Sequence, residues 1–329
     1  MKHQRRRVNR TFVSLAAAVT VGSVAPFARA QAYPSRVVRI VVAFPPGGAT
    51  DQLARLVAGK LTTRLGQSVI VENRPSPSGI VGTDNIAKGP ADGYTLLFAP
   101  SLHATNVSLF SKLPYDTEKD FAPIVLVATT PYLFVTHPSV LAKSVRELID
   151  LMRRQPGTLN ISASAVGSPQ HLAAELFRRS ANVDVVPIHY KGSGAILPDL
   201  ISGRVQMAFE NQAVVAQHVQ SGALNALAVT GTERSAVFPN VPTMIEGGVE
   251  GFRVIGWFGL VAAAKTPPEI VQRLNVEVAA ILKEDDVLQR FATMGATAHG
   301  GPPAQLGELI GREIALWRRV ITEANIRLD

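Results

Sequence analysis

The feature that most restricts the fold of this chain is an alternation of short apolar runs with amphipathic stretches. Val37 to Phe44 reads as a buried strand, and Leu53, Leu56, Val57, Leu61 and Leu65 then recur at helical spacing. Ser68 to Glu72 reads as a second strand, Gly79 to Lys88 as a helix, and Gly93 to Phe98 as a third strand. Strand, helix, strand, helix, strand predicts a parallel sheet covered by helices on both faces. Such sheets take ligands beyond the carboxyl ends of their strands.

The alternation recurs after an interruption. Phe121 to Thr130 and Tyr132 to Thr136 are β-rich runs separated by Pro131, and they read as the crossing into a second domain. There the pattern predicts helices near Ser144–Arg154, Ser168–Ser180, Gly194–Ser202 and Val214–Ser221. Between them lie strands near Leu159–Ala163, Val185–Tyr190, Val205–Glu210 and Asn225–Thr230. Gly231 to Pro242 has little regular pattern. Phe252 to Val261 is strand-like, Pro267-Pro268 opens a helix, and a last helix aligns Leu306, Leu309, Ile310, Ile314, Trp317 and Ile321. The closing helices are expected to return to the first domain. That gives two α/β lobes, residues 31–130 plus 252–329 and residues 131–251, joined by at least two strands as a hinged clam with a cleft.

The turns at the predicted strand ends are where chemistry can sit. In Phe44-Pro-Pro-Gly-Gly-Ala-Thr-Asp51 two prolines lack an N–H, whereas Gly47, Gly48, Ala49 and Thr50 present theirs at the positive end of a helix. This suits a carboxylate or phosphate, and equally an ordinary tight turn. Ser101 and His103, in the polar segment after the third strand, fit either a site or a capped helix start. Ser164, Gly167, Ser168 and Gln170 surround a second helix start, with Ser168 as cap and Pro169 in the first turn. Tyr190, Lys191 and Gly192 offer an aromatic ring, a cation and free amides, or form a solvated turn. Asn211 ends the next strand and reads best as a cap, with side-chain hydrogen bonding to a ligand as the other reading.

The first thirty residues stand apart. Lys2, Arg5, Arg6, Arg7 and Arg10 precede an apolar stretch from Phe12 to Val24 and an Ala28-Arg29-Ala30 cleavage pattern, so 1–30 reads as a secretory signal. The general route is favoured, although Arg5-Arg6-Arg7 leaves twin-arginine export open. The segment holds six of the 33 basic residues and none of the 25 acidic ones, so the remainder carries only +2, no support for nucleic-acid binding. The apolar stretch is shorter than the ~20 residues of a spanning helix. There is no cysteine, hence neither disulfide nor thiolate metal site.

Catalysis finds little support in the residues. Ser168 and His171 are close, but a cap serine spends its hydroxyl on the backbone, and no G-x-S-x-G elbow occurs. No H-x-x-x-H spacing is present, and His171 with Glu175 reads as an i,i+4 helix pair. The phosphate-loop ending Gly-Lys-Ser/Thr is absent, since Ala49 and Thr50 follow Gly48. No enzyme activity, cofactor or metal is expected.

The motifs together resemble a known family. The ordered set Phe44-Pro-Pro-Gly-Gly-x-x-Asp51, Glu72-Asn-Arg-Pro75, Asp92-Gly-Tyr-Thr-Leu-Leu-Phe98, Lys112-Leu-Pro-Tyr-Asp116, Gly167-Ser-x-Gln-His-Leu172, Tyr190-Lys-Gly192, Asp199-Leu200, Ala226-Leu-Ala-Val-Thr230 and Asn240-Val-Pro-Thr243 is similar to the Bug, or TctC-like, receptors of tripartite tricarboxylate transporters. The resemblance implies a periplasmic two-lobe fold of the type II Venus-flytrap kind, each lobe a mainly parallel sheet flanked by helices. It implies a monomeric receptor that captures a small carboxylate-bearing metabolite for membrane permease subunits, with a membrane sensor kinase as the alternative partner. It points to Gly47, Gly48 and Thr50 from one lobe and to Ser168, Tyr190, Lys191 and Gly192 from the other. Asp51 fits the pattern, but its charge disfavours carboxylate contact; it would steady the helix start or meet a ligand amino group. The chain departs from the family at Ser76-Pro-Ser-Gly79, where more glycine is usual. It departs again at Ala165-Val166, where Val166 removes a polar side chain from the ligand rim.

Overall fold

A computed structural model of the chain describes residues 33–328 apart from 164–165 and 191–192, so the expected signal segment lies outside the described residues. The elements run β1 (Val38–Val42), α1 (Ala49–Leu65), β2 (Val69–Asn73), α2 (Ile80–Ala87), β3 (Thr95–Pro100), α3 (Leu102–Leu109) and β4 (Phe121–Thr136). Then come α4 (Val145–Arg154), β5 (Asn160–Ala163), α5 (Pro169–Ser180), β6 (Val186–His189), α6 (Ser193–Ile201), β7 (Met207–Asn211), α7 (Gln212–Gln220) and β8 (Asn225–Val229). The chain closes with β9 (Ile255–Ala263), α8 (Pro268–Ile281), α9 (Asp285–Thr293), β10 (Thr297–Gly300) and α10 (Pro303–Glu323).

The strands form one mixed sheet of order β2-β1-β3-β9-β4-β7-β5-β6, with β10 and β8 also paired to β4. The ladders of β1 with β2 and β3, and of β5 with β6 and β7, are parallel, as the strand–helix alternation predicts. Every antiparallel ladder involves β4 or β9, the strands that are not followed by a crossover helix onto a neighbour.

β4 corrects one expectation. It is a single strand of 16 residues and not two runs broken at Pro131. Pro131 is the last residue paired with β9, opposite Ile255, and Tyr132 is the first paired with β7, opposite Asn211. The missing N–H therefore falls where the strand exchanges partners, and no continuous ladder loses a bond.

Four apolar clusters lie on the sheet faces. Around β1 and β3, α1 and α8 bury Leu53, Val57, Leu61, Leu274 and Val278 against one face. On the other face Trp257, Leu306, Leu309 and Ile310 pack with Ile86. Around β7, one cluster joins Phe134, Phe177, Phe209 and Phe252, and the opposite one joins Ile196, Leu200 and Val215. Each such buried side chain contributes about 1.5–3 kcal/mol. The last helix belongs to two clusters: Leu306 to Ile314 pack with Trp257, whereas Trp317, Val320 and Ile321 enter the cluster of Phe177. It thus reaches past the core of the opening strands, where the sequence pattern alone placed it. No helix among the described residues is long and apolar enough to cross a membrane.

Candidate functional site

The carboxyl ends of β1, β3, β5, β6 and β7 carry the candidate positions that fall among the described residues. The β1–α1 turn is the best defined. Gly47 has φ +92°, the left-handed region that glycine enters without strain, and its N–H donates to Asp51 Oδ2 at 2.9 Å. Asp51 is 4% exposed, and its carboxylate is fully engaged. Arg55 Nε donates to Oδ2 at 2.9 Å and Asn73 Nδ2 to Oδ1 at 2.8 Å, while Arg55 Nη2 donates to Asn73 Oδ1 at 2.8 Å. Asn73 Nδ2 also reaches the Phe44 carbonyl at 3.2 Å. Burial opposes ionisation of Asp51, but the bonds from Arg55, Gly47 and Asn73 outweigh it and hold the carboxyl at about 2.

This closed network answers what Asp51 does. It holds the turn by bonding the chain's own donors, and it takes the Gly47 amide out of the set open to a ligand. The amides of Gly48, Ala49 and Thr50 find no acceptor among the described residues. Gly48 and Ala49 are exposed, and Gly48 caps α1 without a side-chain bond. A helix start with outward N–H groups and no internal acceptor favours an anion.

The β5–α5 turn uses the same construction. Gly167, at φ +77°, donates its N–H to His171 Nδ1 at 3.0 Å, again four residues on in the first helical turn. Ser168 accepts from the His171 amide at 3.2 Å and is followed by Pro169 in the first turn. The serine hydroxyl thus meets the backbone of His171 and not its ring. The His171 ring is buried beside that of His189, with centroids 5.4 Å apart, which ties this turn to the end of β6. Burial lowers the His171 pKa, with Glu175 opposing. Glu175 pairs with Arg178 at 2.9 Å, a closer partner than the expected His171. Gln170 lies half-buried in the same first turn.

The other positions divide into those gathered near these turns and those set apart. Phe44 and His103, with Ser78 and Asn106, line a pocket of about 10 Å³ beside the β1–α1 turn. Ser101 is buried just before α3. His103 stacks against Tyr115 at 6.2 Å and meets Phe121 edge-on at 4.8 Å; burial pushes its imidazole down to about 4. Ser78, where the family resemblance leads one to expect glycine, is left-handed at φ 52°, and its carbonyl accepts from Asn106 Nδ2 at 2.9 Å. The far end of α3 approaches the second turn: a Cβ on Gly167 would stand 2.3 Å from Leu109 Cδ1. Tyr190 donates to Asp199 Oδ2 at 2.9 Å; burial and then this carboxylate push its hydroxyl up to about 12. Asn211 caps α7 through the Ala213 amide at 2.9 Å and donates to Thr130 at 3.2 Å, so it serves the strand exchange at β4. Ser164, Lys191 and Gly192 lie outside the described residues.

Sequence reasoning missed Asn73, Arg55 and the ring of His171 as holders of the turns. The Asn73-Arg74-Pro75 motif was the available signal, because a short amide side chain ending a strand beside a glycine turn can satisfy that turn's backbone. No cluster of metal-binding side chains occurs among the described residues.

Comparison with known proteins gives a consistent result. The family model described as tripartite tricarboxylate transporter family receptor matches residues 53–326. Protein BugT of Bordetella pertussis is 39% identical over 311 residues, covering 94% of this chain and 95% of that protein. Among solved structures, Rpa4515 of R. palustris with adipate aligns with a TM-score of 0.76 at 38% identity, covering 90% of this chain and all of that one. MatC of Rhodopseudomonas palustris with bound malate aligns at 0.72 and 31% identity, covering 88% of this chain and 100% of that one.

Proposed function

The chain belongs to the tripartite tricarboxylate transporter receptor family, and we propose that it is an extracytoplasmic receptor closing on a small carboxylate for delivery to membrane permease subunits. The observation that carries this reading is the pair of like-built turns. In each a left-handed glycine is pinned to a side chain four residues on, at the start of a helix and the end of a parallel strand. The β1–α1 turn supplies the open amides of Gly48, Ala49 and Thr50 for a carboxylate. The β5–α5 turn, with Tyr190 at the end of β6, forms the opposing jaw. Residues 31–130 plus 252–329 form one lobe and 131–251 the other, with β4 and β9 as the hinge. Residues 1–30 are a cleaved export signal, which fits a receptor working in the periplasm, as BugD, a solved neighbour at 28% identity, is described.

Adipate and malate, bound in related structures, support a short chain with two terminal carboxylates as the ligand class. A thermal-shift panel of adipate, malate, citrate, acidic amino acids, aromatic acids and neutral sugars tests it. At least one carboxylate should stabilise the protein by ~2.7 kcal/mol at a hundredfold excess over its Kd. A response confined to neutral sugars would refute the reading.

A further inference from the structure

A concavity lined by several basic side chains lies away from both turns. Beside the point where β4 exchanges partners there is a cavity of about 520 Å³, and none of the candidate residues named above lines it. Its walls come from both sides of Pro131: Thr129 and His299 on one, Gln212 and Arg234 on the other, with Arg253 next to β9 and Arg312 on α10 between them. Arg234 is paired with Glu246 at 3.0 Å, and Arg312 is held only loosely by Glu308 at 3.9 Å. Arg253 is half-buried, and its Nε is shut off from solvent with no hydrogen-bond partner. A buried acid, Glu313, is attracted by Arg253 and Arg312, but its Oε2 is taken by Trp317 Nε1 at 2.6 Å. Glu233, exposed at the rim, is the one acidic residue among those lining the cavity.

Arg234, Arg253 and Arg312 all line this cavity against a single acidic residue at its wall, and Arg is the side chain whose planar fork fits a carboxylate or phosphate. We propose that this cavity is a second anion site, which takes a small polyanion held by Arg253 and Arg312. An anion there would link segments from both sides of the strand exchange. The site is independent of the carboxylate bound at the β1–α1 turn.

Calorimetric titration separates the two. Gly48→Trp, which fills the β1–α1 turn, is titrated with citrate in one arm and inorganic phosphate in the other. At least one anion is expected to bind this variant with a single site. The same anion should bind at least tenfold more weakly after Arg253→Gln or Arg312→Gln is added, a loss of about 1.4 kcal/mol. Arg312 is exposed, so its replacement preserves the fold and decides the matter should the Arg253 variant not fold. Absence of binding by either anion at millimolar concentration, or affinity unchanged by both arginine replacements, overturns the proposal. Neither outcome alters what the carboxylate panel says of the β1–α1 turn.

Discussion

Asp51 shows how a single buried carboxylate can hold a whole turn through the chain's own donors. Its buried carboxylate accepts from the Gly47 amide, Arg55 and Asn73 at once, and loss of any one donor leaves part of a buried acceptor unmet. Its pKa falls from an ordinary 3.8 to about 2, so its contribution to stability is present above pH 3.8 and is lost as pH falls through about 2. With exposed residues beside it, solvent screening brings that contribution to about 1–2 kcal/mol. Asp51→Ala should lower stability by this amount at pH 7 and flatten the stability curve below pH 4, read by urea unfolding across pH. His103 behaves alike for a different reason. Its imidazole is depressed from 6.5 to about 4 by burial alone, so its neutral form supports the fold above pH 6.5, and that support is lost as pH falls toward 4. The change is on the order of 2–3 kcal/mol. His103→Leu should remove that part of the acid limb; an unchanged limb between pH 6.5 and 4 would place the titration elsewhere.

At the scale of elements, the two turns make opposite demands on their glycines. Gly167 is left-handed and faces Leu109 Cδ1 at 2.3 Å from an added Cβ, so Gly167→Ala should cost roughly 1–3 kcal/mol in thermal unfolding. Gly48 has φ −74° and open space around it, so Gly48→Ala should stay within about 0.5 kcal/mol of the parent. The bulkier Gly48→Trp should fold normally and lose the cleft ligand.

The elements also show what the sequence makes legible. Strands and helices with strong periodicity, such as α1 with Leu53, Val57 and Leu61 all buried, could be read directly. The helix α9 could not, because Val287 and Phe291 are its only buried apolar side chains and Leu288 is exposed. Nor could β10, four residues long and polar. Pro131 misled because a proline stops a ladder only when its N–H is needed, and partner exchange depends on strands 80 and 124 positions away, Asn211 and Ile255. The candidate turns were legible as glycine-rich strand ends; the side chains that hold them were not, because Asn73 and Asp51 meet only after β1 and β2 pair.

For the whole molecule, the proposed closure turns on the strand exchange at Pro131 and the course of α10. The proposed lobes share β4 through their centres, and α10 packs with Trp257 near its start and Phe177 near its end. The proposed closure would therefore be accommodated at the strand exchange and along α10. Thr130, which donates to the Gly295 carbonyl at 3.1 Å and accepts from Asn211, marks that place. Thr130→Val should leave ligand contacts intact while changing the affinity, since it alters the balance between open and closed forms. Equal affinities in calorimetry would remove it from the hinge.

The most direct test of the account is a crystal structure with a carboxylate that the panel identifies. One carboxylate should lie within hydrogen-bonding reach, about 3 Å directly or through one water, of the Gly48, Ala49 and Thr50 amides. The rest of the ligand should meet the turn of Gly167 and Ser168. A ligand seated away from both turns, with those amides facing only solvent, would contradict it.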